Sequence, residues 1–537
     1  MHSRTAHAQV SPFEGMDVAT MLVRLAQQRP EHPALIWAPA EGIETSWTYA
    51  QFVHQIRCVA GGLAARGVGR GDRILVHLEN SPELLIARFA CAWLGAICVS
   101  TNAMATGTEL AALANAVGVR AAITQPAMAE TVAAHVSGLD WIAVTQSDAG
   151  RMPAETALPQ RTDRFEALVG DPLAMRAPEL GLAALILFTT GTTARAKAVL
   201  WTHENILWAA RLGAAQQDFR PTDVTQVFLP LFHVVGFSWA FLPTLWCGGT
   251  VVLQSRFSAT RFWPVALAHR ATISAHVPFT TTALMRQERP GTHLFRQWVT
   301  NRQMPAEQAH FGVTRFSSAW GMTEMISQPI VGDVRLGAIP KNAIGRPSMA
   351  YEVRILNEDG SAARPGETGE LLVRGLRGRS LFAEYFGDAE ATKAAFDEQG
   401  YFRSGDRVQL NEDGTITFVD RIKDVIKVGG EGVAAGEIEA VIQAVEGVAE
   451  VAVVAGPDPL RGEVPVAFVV RKPLASASEE ALKAAIGDAC RLALARFKVP
   501  QRILFIEGLP RVGFGKISKA NLRMLAAEAL ETPVSAA

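Results

Sequence analysis

The chain has 537 residues, of which 49% are hydrophobic, and its formal net charge is −1. This length and apolar content allow large buried cores and predict two to four domains. Basic and acidic residues are mixed along the chain, so no basic stripe indicates a nucleic-acid partner.

Three features of the sequence bear on the cellular compartment. Residues Met1–Val10 contain no apolar core, so we expect no secretory signal. The uncharged stretch Val224–Ser255 is interrupted by prolines and glycines, so we expect no membrane span. The cysteines are scattered without C-x-x-C spacing, which predicts reduced core residues in a cytoplasmic protein rather than metal ligands or disulfides.

Strands and helices alternate through the first third of the chain. Asp17 is predicted to cap a first helix. Arg73–Leu78, Ala96–Ser100 and Ala121–Thr124 have the composition of buried strands. This alternation predicts a parallel, doubly wound α/β sheet. Residues 146–180 are rich in proline, alanine and polar residues and are predicted to form a connection.

The apolar run Leu182–Phe188 opens into a turn rich in hydroxyl groups that contains one lysine. Backbone N–H groups and threonine hydroxyls can bind phosphate oxygens, and the lysine can offset their charge. We therefore predict a phosphate site that consists of Thr189, Thr190, Gly191, Thr192, Thr193 and Lys197. The turn is not a Walker loop, because no Ser or Thr follows the lysine. A threonine-rich surface turn with a solvated lysine explains the same residues about equally well.

Two later segments place polar side chains next to apolar runs. His233 follows Leu229-Pro-Leu-Phe, and a lone histidine in such a setting is more often a core residue than a catalyst. Further along, a strand-like run beginning at Phe316 leads into Trp320, a glycine turn, Thr323 and Glu324. A glutamate near a loop is usually just solvated.

Glycine turns next to charged residues recur in the last third of the chain. Asp406 follows one of them and is suited to accept hydrogen bonds from ribose hydroxyls. Gly429 and Gly430 follow a charged segment, and Lys516 follows Gly515. Taken alone, Asp406 is more often an ordinary turn residue, and Lys516 is more often a solvated lysine. Strands and helices in β-α-β order are predicted around them, including a helix capped by a Ser476–Glu479 box.

Together these segments resemble the acyl-adenylate-forming superfamily, which contains acyl-CoA synthetases, firefly-type luciferases and peptide-synthetase adenylation domains. The loop from Phe188 to Lys197 is similar to its phosphate loop, and Trp320–Glu324 resembles its aromatic-G-x-T-E motif. Tyr401–Asp406 is similar to its Y-F-x-T-G-D motif. The likeness extends from about Asp17 to Leu525.

Three departures from the superfamily pattern bear on the site, and one of them is Trp320 in place of the usual tyrosine. Small-residue positions of the phosphate loop have become Ala194, Ala196 and Ala198, and the lost glycines predict a stiffer loop. The segment Val299–Glu307 lacks the usual Gly-Gly-Ala-Pro pattern. That departure resembles the crotonobetaine/carnitine-CoA ligase branch, which does not fix the acyl group.

The resemblance implies a role for each motif residue. Catalysis is assigned to Lys516 as the adenylation lysine, to Glu324 as the Mg²⁺ ligand, and to Lys197. ATP or AMP contacts are implied for Thr189, Thr190, Gly191, Thr192, Thr193, Trp320, Gly321, Thr323, Asp406 and Arg421. His233, Val277 and Met322 would line the acyl pocket. Gly429 and Gly430 would contact CoA, and Lys423 would be the hinge.

The implied fold is α/β. An N-terminal domain, residues 1–422, would contain two doubly wound α/β subdomains and a small β-rich subdomain, followed by a mobile α+β C-terminal domain, residues 423–537. The implied activity is ATP-dependent ligation of a small-molecule carboxylic acid to coenzyme A through an acyl-adenylate, with release of AMP and pyrophosphate.

Three alternatives to this activity share the same motifs. The chain could load a carrier protein, act as a luciferase-like oxygenase, or bind nucleotide without catalysis. Retention of Lys197, Glu324, Asp406, Arg421 and Lys516 together argues against the last. The identity of the acid stays open, as does the choice between a monomer and a homodimer.

Overall fold

The structure is a computed structural model that describes residues 10–152, 158–189, 196–357, 359–421, 425–472, 478–512, 516–517 and 519–531. Its α-helices are α1 (Val18–Gln28), α2 (Tyr49–Ala65), α3 (Pro82–Leu94), α4 (Gly107–Val117), α5 (Pro126–His135), α6 (His203–Gln216), α7 (Leu242–Cys247), α8 (Ala259–Ala268), α9 (Pro278–Leu284), α10 (Pro305–Phe311), α11 (Ala389–Ala394), α12 (Ala435–Gln443), α13 (Glu479–Ala493) and α14 (Lys519–Glu531).

Its strands are β1 (Pro33–Trp37), β2 (Thr45–Thr48), β3 (Arg73–His77), β4 (Ile97–Ser100), β5 (Ala121–Thr124), β6 (Ile142–Val144), β7 (Thr162–Arg164), β8 (Ala183–Phe188), β9 (Ala198–Thr202), β10 (Val224–Val227), β11 (Thr250–Leu253), β12 (Ile273–Ala275), β13 (Gln297–Thr300), β14 (Arg315–Trp320), β15 (Ile330–Val331), β16 (Ala343–Pro347), β17 (Glu352–Leu356), β18 (Thr368–Arg374), β19 (Glu384–Tyr385), β20 (Phe402–Leu410), β21 (Ile416–Arg421), β22 (Val425–Val428), β23 (Glu431–Ala434), β24 (Val448–Asp458), β25 (Gly462–Arg471), β26 (Arg502–Phe505), β27 (Arg511–Val512) and β28 (Lys516–Ile517).

The first sheet runs in the order β19-β9-β8-β4-β3-β5-β6-β7. Strands β8 to β7 in this order are parallel, whereas β9 and β19 join antiparallel at one edge. Strands β4 and β5 are buried along their whole length, as expected when helices cover both faces of a parallel sheet. Asp17 caps α1 as predicted, because its carboxylate accepts a hydrogen bond from the Thr20 amide at 3.0 Å.

The second sheet begins as a parallel sheet in the order β14-β13-β12-β10-β11-β1, with β2 at its edge. Through β15 it continues into the antiparallel strands β16, β21, β20, β18 and β17. The predicted small β-rich subdomain is therefore hydrogen-bonded to the second doubly wound sheet. Since β14 leads to Glu324 and β20 carries Asp406, this continuity places both segments beside one cavity.

The C-terminal part forms its own sheet, in the order β23-β22-β25-β24, with β26 parallel to β25. Helices α12 and α13 pack on one face around Ile438 and Ile486, and α14 packs on the other around Leu522. The predicted α/β architecture with an α+β C-terminal part is thereby confirmed.

Local predictions failed at a few element ends. The hydroxyl of Ser478, not Ser476, caps α13 by accepting from the Ala481 amide at 3.2 Å. Ser476 lies outside the described residues. The predicted connection of residues 146–180 contains strand β7, and α12 begins at Ala435 rather than Glu437.

Two absences concern the described part of the chain. None of its helices is both long and apolar enough to cross a membrane. The cysteines Cys58, Cys91, Cys98, Cys247 and Cys490 are free thiols; the predicted core position is confirmed for all but Cys247, which is half-buried.

Candidate active site

A cavity of about 980 Å³ brings together residues from distant parts of the chain. The predicted site residues on its wall are Thr189, Lys197, His233, Val277, Gly321, Met322, Thr323, Glu324, Gly429 and Gly430. The glycine turn at Gly429 follows β22 of the C-terminal sheet, whereas the others come from the two larger sheets and their connections. The cavity thus lies between the C-terminal sheet and the rest of the molecule.

The phosphate-loop prediction falls partly outside the described residues. Thr190, Gly191, Thr192 and Thr193 are not described. The described ends of the loop lie together, since the Thr189 amide donates to the Lys197 carbonyl at 3.1 Å. The Thr189 hydroxyl oxygen is buried without a hydrogen-bond partner among the described residues. A buried hydroxyl of this kind on a cavity wall fits an external acceptor such as a phosphate oxygen.

Glu324 is 3% exposed and sits in a 3₁₀ turn directly after β14. Its Oε1 accepts a hydrogen bond from the Tyr385 hydroxyl at 2.8 Å, and its carbonyl accepts one from the Phe382 amide at 2.9 Å. Two residues on, Ile326 adopts a φ of +57°, which is rare for a β-branched residue, and its carbonyl accepts a hydrogen bond from Ser238. Strained backbone of this kind clusters at functional sites.

Tyr385 is a site residue that sequence reasoning missed. Besides contacting Glu324, its ring lies 4.3 Å from Lys197 Nζ, within the range of a cation–π interaction. Tyr385 lies in β19, a strand of only two residues. No local pattern around it predicts contact with Glu324.

Trp320 and Asp406 lie behind the wall and contact each other. Trp320 Nε1 donates to Asp406 Oδ2 at 2.9 Å, and the two residues are 7% and 2% exposed. Their chain neighbours Gly321 and Gly405 form the wall itself. A side chain at Gly321 would place its Cβ 2.5 Å from the Ser327 carbonyl oxygen, so the turn requires glycine. In the backbone register of the antiparallel strands β20 and β21, Arg421 lies opposite Asp406.

His233 contacts the C-terminal part directly. Its Nε2 donates to Glu431 Oε2 at 2.6 Å, and Glu431 begins β23 next to the glycine turn. Burial lowers the pKa of His233, but the negative charge and hydrogen bond of Glu431 outweigh burial and raise that pKa above its ordinary value of 6.5. Glu431 was not predicted, although it follows Gly430 directly in the sequence.

The glycine turn requires its glycines for a backbone reason. Gly429 and Gly430 have φ values of +60° and +94°, in the left-handed region that residues with a Cβ avoid. A Cβ at Gly430 would lie 3.1 Å from Val277 Cγ2, so the turn packs closely on the predicted acyl-pocket wall. Lys423, the predicted hinge, lies outside the described residues. Lys516 begins β28, but its side chain is not described.

A half-buried ion cluster outside the cavity lining joins the two parts. Lys498 Nζ lies 2.6 Å from Glu109 Oε1 of α4 and 2.9 Å from Glu437 Oε1 of α12. Burial raises the pKa of Glu437, as does the nearby Glu109, while Lys498 opposes the shift. Two carboxylates that share one ammonium group therefore link the C-terminal part to the first sheet.

The donor set on the cavity wall fits Mg²⁺ only in combination with phosphates. Among the described residues, no cluster of three or more His, Cys, Asp or Glu side chains is arranged to hold a metal ion. Mg²⁺ prefers hard oxygen ligands, keeps several waters, and is commonly bound by one or two carboxylates together with substrate phosphates. The buried, oriented carboxylate of Glu324 beside the phosphate loop suits that mode.

Comparisons with known proteins agree with this geometry. The sequence model described as AMP-binding enzyme matches residues 22–386, and that of the AMP-binding enzyme C-terminal domain matches residues 437–516. A crotonobetaine/carnitine–CoA ligase of Salmonella paratyphi A is 32% identical over 521 residues, which cover 95% of this chain and 99% of the relative.

Solved structures give the same result. A mutant o-succinylbenzoate-CoA synthetase of Bacillus subtilis, bound to a CoA product analogue, is 25% identical with a TM-score of 0.80 and covers 94% of this chain and 98% of that one. The same synthetase in complex with AMP has a TM-score of 0.66 at the same identity and coverage. The family model alone matches more than half of the chain, and the chain therefore belongs to the family of AMP-binding enzymes.

Proposed function

We propose that one cavity carries out both half-reactions of an AMP-forming acid–thiol ligase. The class of activity follows from the family and its CoA-ligase relatives: ATP-dependent formation of an acyl-adenylate and transfer of the acyl group to CoA. The observation that carries the proposal is the single cavity whose wall combines Lys197, Glu324 and the glycine turn at Gly429.

In the first half-reaction, the carboxylate attacks the α-phosphate of ATP and pyrophosphate leaves. Both reactants are anionic, so the protein must position them and stabilise negative charge. Thr189 and Lys197 would bind phosphate oxygens, and Lys516 would contact the attacking carboxylate. Mg²⁺ bound to Glu324 would add positive charge at the phosphates.

The nucleotide would be held further by groups behind the wall. We assign Asp406 and Arg421 to the ribose and Thr323 to the α-phosphate. Trp320 would lie against adenine from its buried place at the end of β14. Thr190, Gly191, Thr192 and Thr193 would complete the phosphate loop.

In the second half-reaction, the CoA thiol attacks the acyl-adenylate and AMP leaves. We infer that the structure is in the pose for this step. Gly430 packs on Val277, and Glu431 binds His233, so the glycine turn faces the acyl end of the cavity. The higher TM-score to the synthetase bound to a CoA product analogue than to its AMP complex supports the same pose. The boundary between residues 1–422 and 423–537, with Lys423 as hinge, is part of this proposal.

Pyrophosphate release, measured with and without CoA, tests the proposal. We expect release to require a carboxylic acid and to increase with CoA. It should fall about 10²–10³-fold in Lys516→Ala or Lys197→Ala, by analogy with other lost charge-stabilising donors. Lys483→Ala, on the exposed side of α13, is the matched control. Acid-dependent release that ignores CoA would favour carrier loading, and ATP binding without release for any acid would favour the non-catalytic alternative.

The acyl end of the cavity also restricts the acid. Its described wall residues are Leu229, Pro230, Val234, Val235, Val277 and Met322, besides the paired His233 and Glu431. The described aromatic wall residues Phe188, Tyr385, Phe386 and Phe402 belong to the phosphate-loop strand or to the segments around β19 and β20. A quaternary ammonium group binds best in an aromatic cage or beside a carboxylate. The carboxylate at this end, Glu431, is already paired with His233, so we propose an acid with an uncharged, apolar chain.

A pair of isosteres separates charge from shape. Crotonobetaine should be compared with its carbon isostere, in which a tert-butyl group replaces the trimethylammonium group. We expect kcat/KM to be higher for the isostere by about tenfold or more. Equal or better use of crotonobetaine would contradict the proposed acid class and leave the ligase activity intact.

Compartment and assembly complete the proposal. Free, mostly buried thiols suit the reducing cytoplasm, where ATP and CoA are available, so we place the protein there. We keep the homodimer as a prediction that light scattering of the purified protein would decide.

A further inference from the structure

Tyr385 touches two of the three groups assigned to catalysis. Its hydroxyl donates to Glu324 Oε1 at 2.8 Å, and Lys197 Nζ lies 4.3 Å from its ring centroid. The side chain is 3% exposed and forms part of the cavity wall. One side chain thus lies between the predicted metal ligand and the predicted phosphate-binding cation.

The backbone around Tyr385 fixes this position. Strand β19 pairs antiparallel with β9, with Tyr385 opposite Val199, two residues after Lys197. The Phe386 amide donates to the Ala198 carbonyl at 2.8 Å. The Tyr385 amide donates to the Thr392 hydroxyl at 2.9 Å, and the neighbouring Phe382 amide donates to the Glu324 carbonyl. Backbone hydrogen bonds therefore join the Tyr385 segment both to β9, which follows Lys197, and to Glu324.

We propose that Tyr385 is a positioning residue that orients the Glu324 carboxylate for Mg²⁺ and holds the Lys197 ammonium beside the phosphates. This inference rests on the proposed function of Glu324 and Lys197. A hydrogen bond to one carboxylate oxygen fixes the plane of the group, which partners behind metal ligands commonly do. The π-face attracts the lysine without competing for the hydrogen bonds that its ammonium makes to phosphates.

Two substitutions separate the two contacts. Tyr385→Phe removes the hydroxyl but keeps the ring under Lys197, whereas Tyr385→Leu removes both. The matched control is Tyr401→Phe, because the Tyr401 hydroxyl also donates to a carboxylate, that of Glu352 at 2.9 Å, and its ring carries the Arg354 guanidinium at 4.1 Å. Tyr401 is equally buried but does not line the cavity.

The test measures binding to the full-length protein rather than turnover. Mn²⁺ is titrated by electron paramagnetic resonance in the presence of α,β-methylene-ATP, which cannot release pyrophosphate. Binding of the same nucleotide in EDTA is measured by calorimetry. Thermal denaturation of each variant shows that it is folded.

We expect Tyr385→Phe to weaken Mn²⁺ binding about ten- to a hundredfold while metal-free nucleotide binding stays as in wild type. Tyr385→Leu should weaken both, and Tyr401→Phe neither. Wild-type Mn²⁺ affinity in Tyr385→Phe would overturn the metal part of the inference, and wild-type nucleotide binding in Tyr385→Leu would overturn the lysine part. Glu324→Gln tests the underlying metal-site proposal separately from the role of Tyr385. Unchanged Mn²⁺ binding in that variant would refute the role of Glu324 itself.

Discussion

At the scale of single residues, the indole of Trp320 makes a hydrogen bond behind the cavity wall. The superfamily usually has tyrosine at this position, so the tryptophan loses a hydroxyl but gains an N–H donor. In this fold that donor reaches Asp406. A buried hydrogen bond to a charged group is stronger than one between neutral groups, so it should hold the carboxylate in place.

Trp320→Phe should therefore weaken ATP binding by about tenfold or more, because it removes the N–H but keeps a ring. If Asp406 contacts the ribose, the loss should largely disappear with dideoxy-ATP, which lacks both ribose hydroxyls. Trp208→Phe is the control, since the Trp208 indole nitrogen has no hydrogen-bond partner in the described part of the chain. An equal loss for both nucleotides would show that the tryptophan serves packing alone.

The contact between His233 and Glu431 also has a functional consequence. Its strength depends on pH. A raised histidine pKa means that the contact is strongest with the imidazole protonated. Its added stability is fully present below the ordinary pKa of 6.5 and is lost as the pH rises through the raised value. We expect acyl transfer from preformed acyl-adenylate to slow over that rise, and Glu431→Gln to flatten the profile. Parallel pH profiles in wild type and variant would contradict this.

At the scale of elements, the segment between β10 and β11 shows how an unusual helix shapes the cavity. Residues Val235–Phe241 form a π-helix, a rare form that is frequent at functional sites. It begins directly after the cavity residues at His233 and Val234. A Cβ at Gly236 would lie 2.4 Å from the Pro230 carbonyl oxygen, so the helix can start here only with glycine.

Gly236→Ala should consequently displace the segment that carries His233. Overpacking of this kind costs about 1–3 kcal/mol, which we expect to appear as a lower thermal midpoint together with a higher KM for the acid. Gly181→Ala provides the comparison, because a Cβ at Gly181 meets no atom within 4 Å. A variant with unchanged KM would show that the helix can shift without moving the acyl wall.

At the scale of the whole molecule, polar contacts between described residues join the C-terminal part to the rest. Glu109, Lys498 and Glu437 form a cluster that is 11%, 12% and 24% exposed at the side chains. The pair of Lys498 and Glu437 lies within the C-terminal part, whereas the bond to Glu109 crosses to α4. Within this cluster, only the bond to Glu109 should break in the proposed turn of the C-terminal part.

Glu109→Gln removes this charge while the amide can still complete the capping box with Thr106. Lys498 keeps its contact with Glu437 in this variant. We therefore expect the transfer pose to lose only about 1 kcal/mol of stability, which lowers its population roughly fivefold. Single-turnover thioester formation should slow accordingly, while pyrophosphate release does not. Glu79→Gln removes the charge from the half-buried contact with Arg151, which joins loops next to the first sheet, and should change neither rate. Equal slowing of both half-reactions in Glu109→Gln would refute a role in the pose.

The sequence by itself determined the features that depend only on residues close together in the chain. Buried strands such as β4 and β5, the Asp17 cap, the glycine turns and the family motifs all depend on local spacing and backbone chemistry. These patterns predicted the α/β class and the enzyme class, both of which are confirmed. Even a local feature can be ambiguous, because Ser476 and Ser478 both offer a hydroxyl that could cap α13. Ser478 is the cap because the first turn of the helix follows it directly.

Only the tertiary structure decided which side chains meet. Tyr385 reaches Glu324, Trp320 reaches Asp406, and Glu431 reaches His233 across long separations in sequence. Such pairs arise from sheet order and from the placement of the C-terminal part, which bring together residues that share no periodicity. The sequence therefore names the groups to which we assign the chemistry, whereas packing decides which side chains contact them.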